Sequence, residues 1–309
     1  MTWPQWTSLA EACERLGFEG LFRSDHYLST VAPRERGALE AWGVISALAA
    51  RTERLRLGAL VTPPTFRHPY VLAKLVSTAD HVSDGRVELA MGAGWFEAEH
   101  RAAGFLLPPL STRYELLEEQ LGVLAGLFSG EAFTFAGRHY SAEEWSLLPR
   151  PIQRPGPPII LGGKGRPRLA RLVALYADEY NCDHGSPATC LQRYARVRDA
   201  VQQAGRDPAS LRMSLVTGCL VAPTARELKS RALRVMQRLG RRGDPLEFLA
   251  SVGDRWVLGT PEQAAERLWE FEQAGVERIM LQQLLHEDLE MLELLAERVF
   301  PAVRSGVPA

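Results

Sequence analysis

Five short segments place reactive or ligand-holding side chains beside residues that turn the chain. Ser24-Asp25-His26 sets a carboxylate next to an imidazole. An imidazole titrates near neutrality and exchanges a proton with a substrate, and an adjacent Asp fixes its tautomer if the backbone turns to join them. A histidine that merely caps a loop is the plainer alternative. Gly162-Gly163-Lys164-Gly165-Arg166 is the strongest anion site in the chain. Its glycines free backbone N–H groups to face a phosphate, the helix that follows offers its positive end, and Lys164 or Arg166 adds full charge. The P-loop spacing GxxxxGK[ST] is absent, so this is not a Walker A loop.

Gly92-Ala93-Gly94-Trp95-Phe96-Glu97 opens like the dinucleotide pattern GxGxxG, but Glu97 stands in place of the third glycine. A Rossmann reading therefore fails. The glycines instead let the backbone approach a flat ligand, with Trp95 and Phe96 as an apolar wall. The run from Gly58 to Pro69 carries Pro63-Pro64, which stiffen it into a shelf. Asn181-Cys182-Asp183-His184-Gly185 is a polar segment whose spacing specifies no role. His68, His81, His100, His139 and His286 form neither HxH nor HExxH, and Cys13, Cys182, Cys190 and Cys219 contain no CxxC, so no metal site is signalled.

These segments need elements to position them, and the hydrophobic spacing supplies an alternation of helix and strand. Apolar spacing predicts helices over 6–16, 40–51, 70–81, 113–128, 169–176, 187–203, 261–273 and 288–303. Strands are predicted over 20–25, 55–61, 87–91, 158–161, 178–182, 212–221 and 278–282. Helices alternating with strands imply a parallel sheet, and seven such strands with a closing helix argue for an α/β barrel. In such a barrel the five segments lie at strand C-termini, where the chemistry is done. The rhythm is interrupted at 133–158, rich in proline, and at 241–258. A single domain over 1–309 is expected, with 133–158 as a lid or insertion over the barrel mouth and 241–258 as an excursion.

The 309 residues are 46% hydrophobic and 24% charged, with 36 cationic against 37 acidic side chains and a net charge of -1. That balance fits a globular enzyme and offers no field for nucleic acid or an anionic membrane. Only Lys74, Lys164 and Lys229 among the cations are lysines, so one of three falls in the glycine-rich anion site. With no signal-peptide pattern and no apolar span, a cytoplasmic location is expected.

The segments Leu16-Gly17-Phe18-Glu19-Gly20-Leu21-Phe22-Arg23-Ser24-Asp25-His26, Thr65-Phe66-Arg67-His68-Pro69, Gly85-Arg86-Val87-Glu88-Leu89 and Gly259-Thr260-Pro261-Glu262 occur in order. With Gly92-Ala93-Gly94-Trp95 they give a chain that resembles the bacterial luciferase-like superfamily. Within it, the chain resembles the branch of oxidoreductases dependent on the deazaflavin coenzyme F420. The resemblance implies a TIM (β/α)8 barrel with the cofactor at its C-terminal mouth. It implies that His26 lies beside the reactive ring carbon and assists proton movement, with Asp25 next to it. It implies a non-proline cis peptide at Ala59-Leu60 bulging against the ring, with Val61 in the same shelf and Thr62, Gly92 and Gly94 lining the cofactor. Gly162, Gly163, Lys164 and Gly165 match the loop that holds the cofactor's phosphate, in agreement with the anion-site argument above.

Members of the superfamily begin with a strand ahead of the segment Thr2-Trp3-Pro4-Gln5-Trp6, so the first barrel strand is expected to be missing here. Two exposed edges would follow, and with them poor solubility or a homodimer. Trp95 stands where sugar-phosphate dehydrogenases of the superfamily carry an acid, which points to a more apolar substrate. Glu97, Glu99 and His100 are expected on a helix surface. The resulting expectation is hydride transfer between F420 and a small, rather apolar organic substrate held by Tyr27, Phe66 and Trp95. An FMN-dependent monooxygenase on the same scaffold is the alternative, and a non-catalytic flavin-binding protein is the alternative of another class.

Overall fold

A computed structural model of the chain describes residues 1–31 and 37–305. The chain opens with helix α1 (Trp3–Arg15), strand β1 (Gly20–Arg23), α2 (Ala41–Ala49), β2 (Arg56–Thr62), α3 (Pro69–Val82), β3 (Val87–Met91), α4 (Glu97–Ala103) and α5 (Leu110–Ser129). A hairpin of β4 (Phe133–Ala136) and β5 (Ser141–Trp145) follows. The alternation then resumes through β6 (Ile159–Gly163), α6 (Pro167–Tyr176), β7 (Glu179–Asp183), α7 (Pro187–Gln203) and β8 (Arg212–Val221). It closes with α8 (Ala225–Arg238), α9 (Pro245–Val252), β9 (Val257–Gly259), α10 (Pro261–Gln273), β10 (Arg278–Gln282), α11 (Leu289–Leu294) and, after a π-turn, α12 (Phe300–Arg304).

Local chemistry explains where the helices start. Helices α3, α6, α7, α9 and α10 each carry a proline in the first turn, where its missing N–H costs nothing. At α10 the cap is reciprocal: the Gln263 side chain accepts from the Thr260 N–H, and Thr260 Oγ1 accepts from the Gln263 N–H.

All seven predicted strands form and lie parallel in the order β1-β2-β3-β6-β7-β8-β10, with β9 paired to the far half of β8. The sheet curls into a half-barrel with Ile160 on the face shared by Glu88 and Glu179, while Leu57, Leu89 and Leu215 lie in the hydrophobic core with the surrounding helices, all removed from solvent. Charged residues plug its N-terminal end. Arg278 on β10 donates to Glu88 on β3 (2.6 Å) and to Glu179 on β7 (3.1 Å), so strands at opposite sides of the curl meet across it.

The curl stops short of closure, as expected for a barrel lacking one strand. β1 and β10 stand at the two ends of the sheet, and among the described residues they share no backbone ladder. They come near each other at the bottom, where the Arg278 guanidinium lies 5.2 Å from the Phe22 ring centre. Between them opens a cavity of about 390 Å³ that spans from the sheet interior, at Leu60 and Met280, to the helix layer at Trp6 and Phe300.

The interruptions in the rhythm take definite form. The stretch 241–258 holds helix α9, and α8 before it was not apparent in the apolar spacing. The stretch 133–158 forms the β4–β5 hairpin and then descends along the flank of α3. Ser77 Oγ donates to the Pro149 carbonyl (2.9 Å), His81 Nε2 meets the Arg150 carbonyl (2.7 Å), and Gln153 Nε2 donates to Asp80 (2.6 Å). No helix among the described residues is long and apolar enough to cross a membrane.

Candidate active site

Strand β1 delivers Asp25 and His26 to the barrel mouth, but the two side chains separate. Asp25 is 2% exposed and takes both arms of the Arg67 guanidinium, at 2.6 and 3.0 Å. Thr62 Oγ1 donates a third bond at 2.8 Å and itself accepts from Trp42 Nε1 at 3.2 Å. Both oxygens of Asp25 are thus engaged by β2 and the loop after it. The pairing of Asp25 with His26 expected from adjacency does not form, because the turn after β1 points the carboxylate into the sheet and the imidazole toward the mouth.

Glu99 takes the place expected of Asp25. His26 Nδ1 lies 2.5 Å from Glu99 Oε1, while Glu99 Oε2 accepts from the Tyr27 N–H at 2.9 Å and the Leu28 N–H at 3.4 Å. One carboxylate therefore fixes both the ring and the backbone that carries it. Helix α4 turns Glu99 and His100 inward, each 1% exposed, and leaves Glu97 outside. The helix-surface expectation holds for Glu97 and fails for the other two. His100 is held on both nitrogens, by the Phe96 carbonyl (2.8 Å) and Thr65 Oγ1 (2.7 Å), which makes it a structural group of the wall.

The non-proline cis peptide is at Leu60-Val61, one residue beyond the expected Ala59-Leu60. Register explains the shift: Ala59 still pairs with Leu89 and is sealed from solvent, and the ladder between β2 and β3 breaks only after it, resuming at Thr62↔Met91. Leu60 then lines the cavity. Val61 drops into a notch that glycines keep open: a Cβ on Gly92 would lie 2.7 Å from Val61 Cγ2, and one on Gly162 2.8 Å from Cγ1. Those two glycines serve the packing of Val61 as well as any approach of a ligand. Thr62 is fully buried, with its hydroxyl turned to Asp25 rather than the mouth.

The glycine loop at the end of β6 has the features an anion site requires. Gly165 has φ +57°, and a Cβ there would sit 2.6 Å from the Tyr180 hydroxyl oxygen. The Tyr180 hydroxyl donates to the Gly163 carbonyl (2.9 Å) and Arg196 donates to the Gly165 carbonyl (3.1 Å). With carbonyls 163 and 165 tied back into the protein, the loop N–H groups are left for a ligand. Helix α6 starts at the loop with Arg166 as its N-cap and no side-chain bond to its first turn, so its positive end stays unmet. Arg166 caps the helix at the loop, while Arg168 lies 5.5 Å from the Tyr114 ring centre and donates to the Ser111 carbonyl (3.0 Å), and Arg113 donates to the Pro108 (3.0 Å) and Gly94 carbonyls. These residues fit a phosphorylated cofactor.

At the end of β7, Asp183 pairs with His184 at 2.7 Å. The hydrogen bond from His184 holds the Asp183 carboxyl below its usual range, with Lys164 adding to the effect, and the same bond raises His184 above its usual value. Both lie beside the glycine loop, Gly163 pairing with Cys182 in the ladder between β6 and β7. The aromatic wall is real but differently built than expected: Tyr27 and Phe66 lie 5.0 Å apart with Phe105 against both, whereas Trp95 is 65% exposed and meets His26 edge-on at 5.9 Å. Among the described residues no cluster of three or more His, Cys, Asp or Glu side chains is arranged to hold a metal.

Residues 1–278 match the family model for the luciferase-like monooxygenases. The chain belongs to that family. This luciferase-like protein is 30% identical to the F420-dependent glucose-6-phosphate dehydrogenase of Microbacterium testaceum, over 94% of its own length and 90% of the relative's. It is 27% identical to the FMNH2-dependent dimethylsulfone monooxygenase of Pseudomonas putida, over 96% and 86% of the two chains. Among solved structures, an F420-dependent secondary alcohol dehydrogenase superposes with a TM-score of 0.80 at 22% identity, over 96% and 94% of the two chains. The luciferase-like barrel is thereby the fold, and the protein stands among oxidoreductases and monooxygenases that use either F420 or FMN.

Proposed function

We propose that this luciferase-like protein transfers hydride between a deazaflavin coenzyme and a small, rather apolar organic substrate. The observation that carries the reading is the His26–Glu99 pair at the barrel mouth, 2.5 Å apart, with Glu99 buried and the imidazole partly open and edge-on to Trp95 and Phe96. Residues 162–165 and the start of α6 would hold the phosphate. Beyond its phosphate a deazaflavin coenzyme carries a tail of further carboxylates, where FMN ends; Arg113, Arg166 and Arg168 beside Tyr114 supply charge for such a tail. The cofactor, when bound, supplies a two-electron carrier.

The chain's own residues supply a proton and a surface. Glu99 fixes His26 through Nδ1, which leaves Nε2 to give a proton to, or take one from, a heteroatom of the substrate. Tyr27, Phe66 and Phe105 exclude water from that exchange and favour an apolar substrate body. Asp25 holds the floor of the site through Arg67 and Thr62.

FMN-dependent oxygenation is the second reading, supported by the 27% identity to the dimethylsulfone monooxygenase. Titration with each cofactor, followed by quenching of tryptophan fluorescence, separates the two. Submicromolar binding of F420 with weaker FMN supports the proposal. Tight FMN binding without F420 binding overturns it in favour of the second reading, and binding of neither overturns both.

A further inference from the structure

Two of the four cysteines are set against each other beneath the barrel mouth. Cys182 on β7 and Cys190 in the first turn of α7 have Sγ atoms 3.7 Å apart, and both side chains are closed to solvent. Arg193, one turn further along α7, reaches back so that Nη1 lies 3.4 Å from Cys182 Sγ and donates to the Asp183 carbonyl at 2.8 Å. The turn joining the two cysteines passes over both sulfurs at Gly185, where a Cβ would lie 3.1 and 3.2 Å from them. Nothing larger than glycine fits there without pushing the sulfurs aside.

The other two thiols behave as ordinary buried cysteines. Burial pushes Cys13 and Cys219 up to about 12, which keeps both protonated and inert. The hydrogen bond from the Cys190 thiol, aided by Arg193, outweighs burial at Cys182 and brings it down to about 7, while the same contact pushes Cys190 up. The pair thus divides into a thiolate and the thiol that donates to it, the division found where one cysteine attacks and the other resolves.

We propose that Cys182 and Cys190 are a modification site for hydrogen peroxide, which converts the contact pair into an intramolecular disulfide. In the first step the Cys182 thiolate attacks a peroxide oxygen. An S–O bond forms, the O–O bond breaks, and hydroxide leaves, taking a proton to become water. In the second step the Cys190 sulfur attacks the Cys182 sulfenic acid. The S–S bond forms, the S–O bond breaks, and a second water leaves with the Cys190 proton. Two thiols lose two electrons and one peroxide gains them, so no other oxidant is needed. An S–S bond is about 2.05 Å long, so the sulfurs must close the remaining gap by movement of the short segment between them. Asp183 and His184, which lead into Gly185 over the pair, are part-exposed, and peroxide reaches the sulfurs when that segment opens.

Both cysteines fall in one tryptic peptide, from Leu172 to Arg193, which makes the product simple to read. Reduced protein is treated with hydrogen peroxide, denatured, alkylated with iodoacetamide, digested and weighed. The proposal expects this peptide to lose two hydrogens and carry no alkyl group, to regain two alkylatable thiols after dithiothreitol, and to leave Cys13 and Cys219 alkylated. Cys190→Ser is expected to give oxygen addition at Cys182 without a cross-link, and Arg193→Gln to slow oxidation about tenfold. Four alkylated cysteines after peroxide, or oxidation spread evenly over all four, would overturn the proposal. The wild-type measurement alone decides the matter, so a variant that folds poorly does not obscure it.

Discussion

His26 Nδ1 and Glu99 Oε1 approach to 2.5 Å although 73 positions separate them, and the second oxygen of the same carboxylate accepts from the Tyr27 and Leu28 amides. A single side chain on α4 therefore sets the tautomer of the imidazole and the path of the backbone that bears it. If His26 moves a proton, Glu99 must matter to turnover more than to cofactor affinity. Glu99→Gln is expected to lower kcat by roughly 100-fold or more while leaving the cofactor dissociation constant within a factor of about two. It should also shift the pH profile of kcat. Loss of cofactor binding in step with turnover would instead mark Glu99 as a purely structural support.

Asp25 is a different kind of carboxylate. Buried at 2% exposure and held by Arg67 and Thr62, it has no room to lose its cation. Arg67→Met leaves a charge in the interior with one hydroxyl for company, which costs about 3–5 kcal/mol. Urea denaturation should show that loss in full. Asp25→Asn combined with Arg67→Met is expected to recover part of it, since the double change removes the orphaned charge. A near-neutral single variant would show that the pair is not the support described.

Strands such as β2, β3 and β6 were legible as apolar runs between a glycine or polar stop and a helical stripe, whereas β7, Glu-Tyr-Asn-Cys-Asp, was legible only from its place in the alternation between α6 and α7. The glycine loop, like β2, β3 and β6, was legible locally. Glu99 was not, because nothing in Glu-Ala-Glu-His-Arg says which turn of a seven-residue helix faces inward; the partner that decides it lies on another strand. Helix α8 is not legible in the apolar spacing because its buried face is interrupted: Arg231 sits in it beside Ala232, Val235 and Met236, satisfied by Asp288 at 2.9 and 3.0 Å. The cis peptide was displaced by one residue because register, not residue type, decides where the bulge falls.

At the glycine loop after β6, strain and binding can be separated. Gly165 and Gly205 both have positive φ, +57° and +75°, but only Gly165 has a neighbour, the Tyr180 hydroxyl, where a Cβ would go. Alanine at either position costs about 1–2 kcal/mol for the left-handed backbone. Gly165→Ala is expected to lose more, to push Tyr180 off the Gly163 carbonyl, and to weaken cofactor binding at least tenfold. Gly205→Ala should leave cofactor binding unchanged. Thermal melting and fluorescence titration of the two variants, side by side, give the comparison; equal effects on binding would remove the loop from the phosphate site.

The Asp183–His184 pair adds a pH dependence whose sign follows from its two shifts. His184 is raised above its usual value near 6.5, so its contribution to stability is complete below about 6.5 and is lost as pH rises through the higher folded value. Asp183 is lowered, so its contribution is present above the ordinary carboxylate value near 4 and is lost only as pH falls through the lower folded value. The pair is therefore at full strength between about 4 and about 6.5 and weakens on the alkaline side first. Both side chains are more than a third exposed, so solvent reduces the size of the effect without changing its direction. Melting temperatures measured from pH 5 to 9 should show the wild type losing its advantage over Asp183→Asn as His184 deprotonates. The ring proton of His184 should titrate at lower pH in the variant. Parallel melting curves across that range would show that the pair carries no linkage at all.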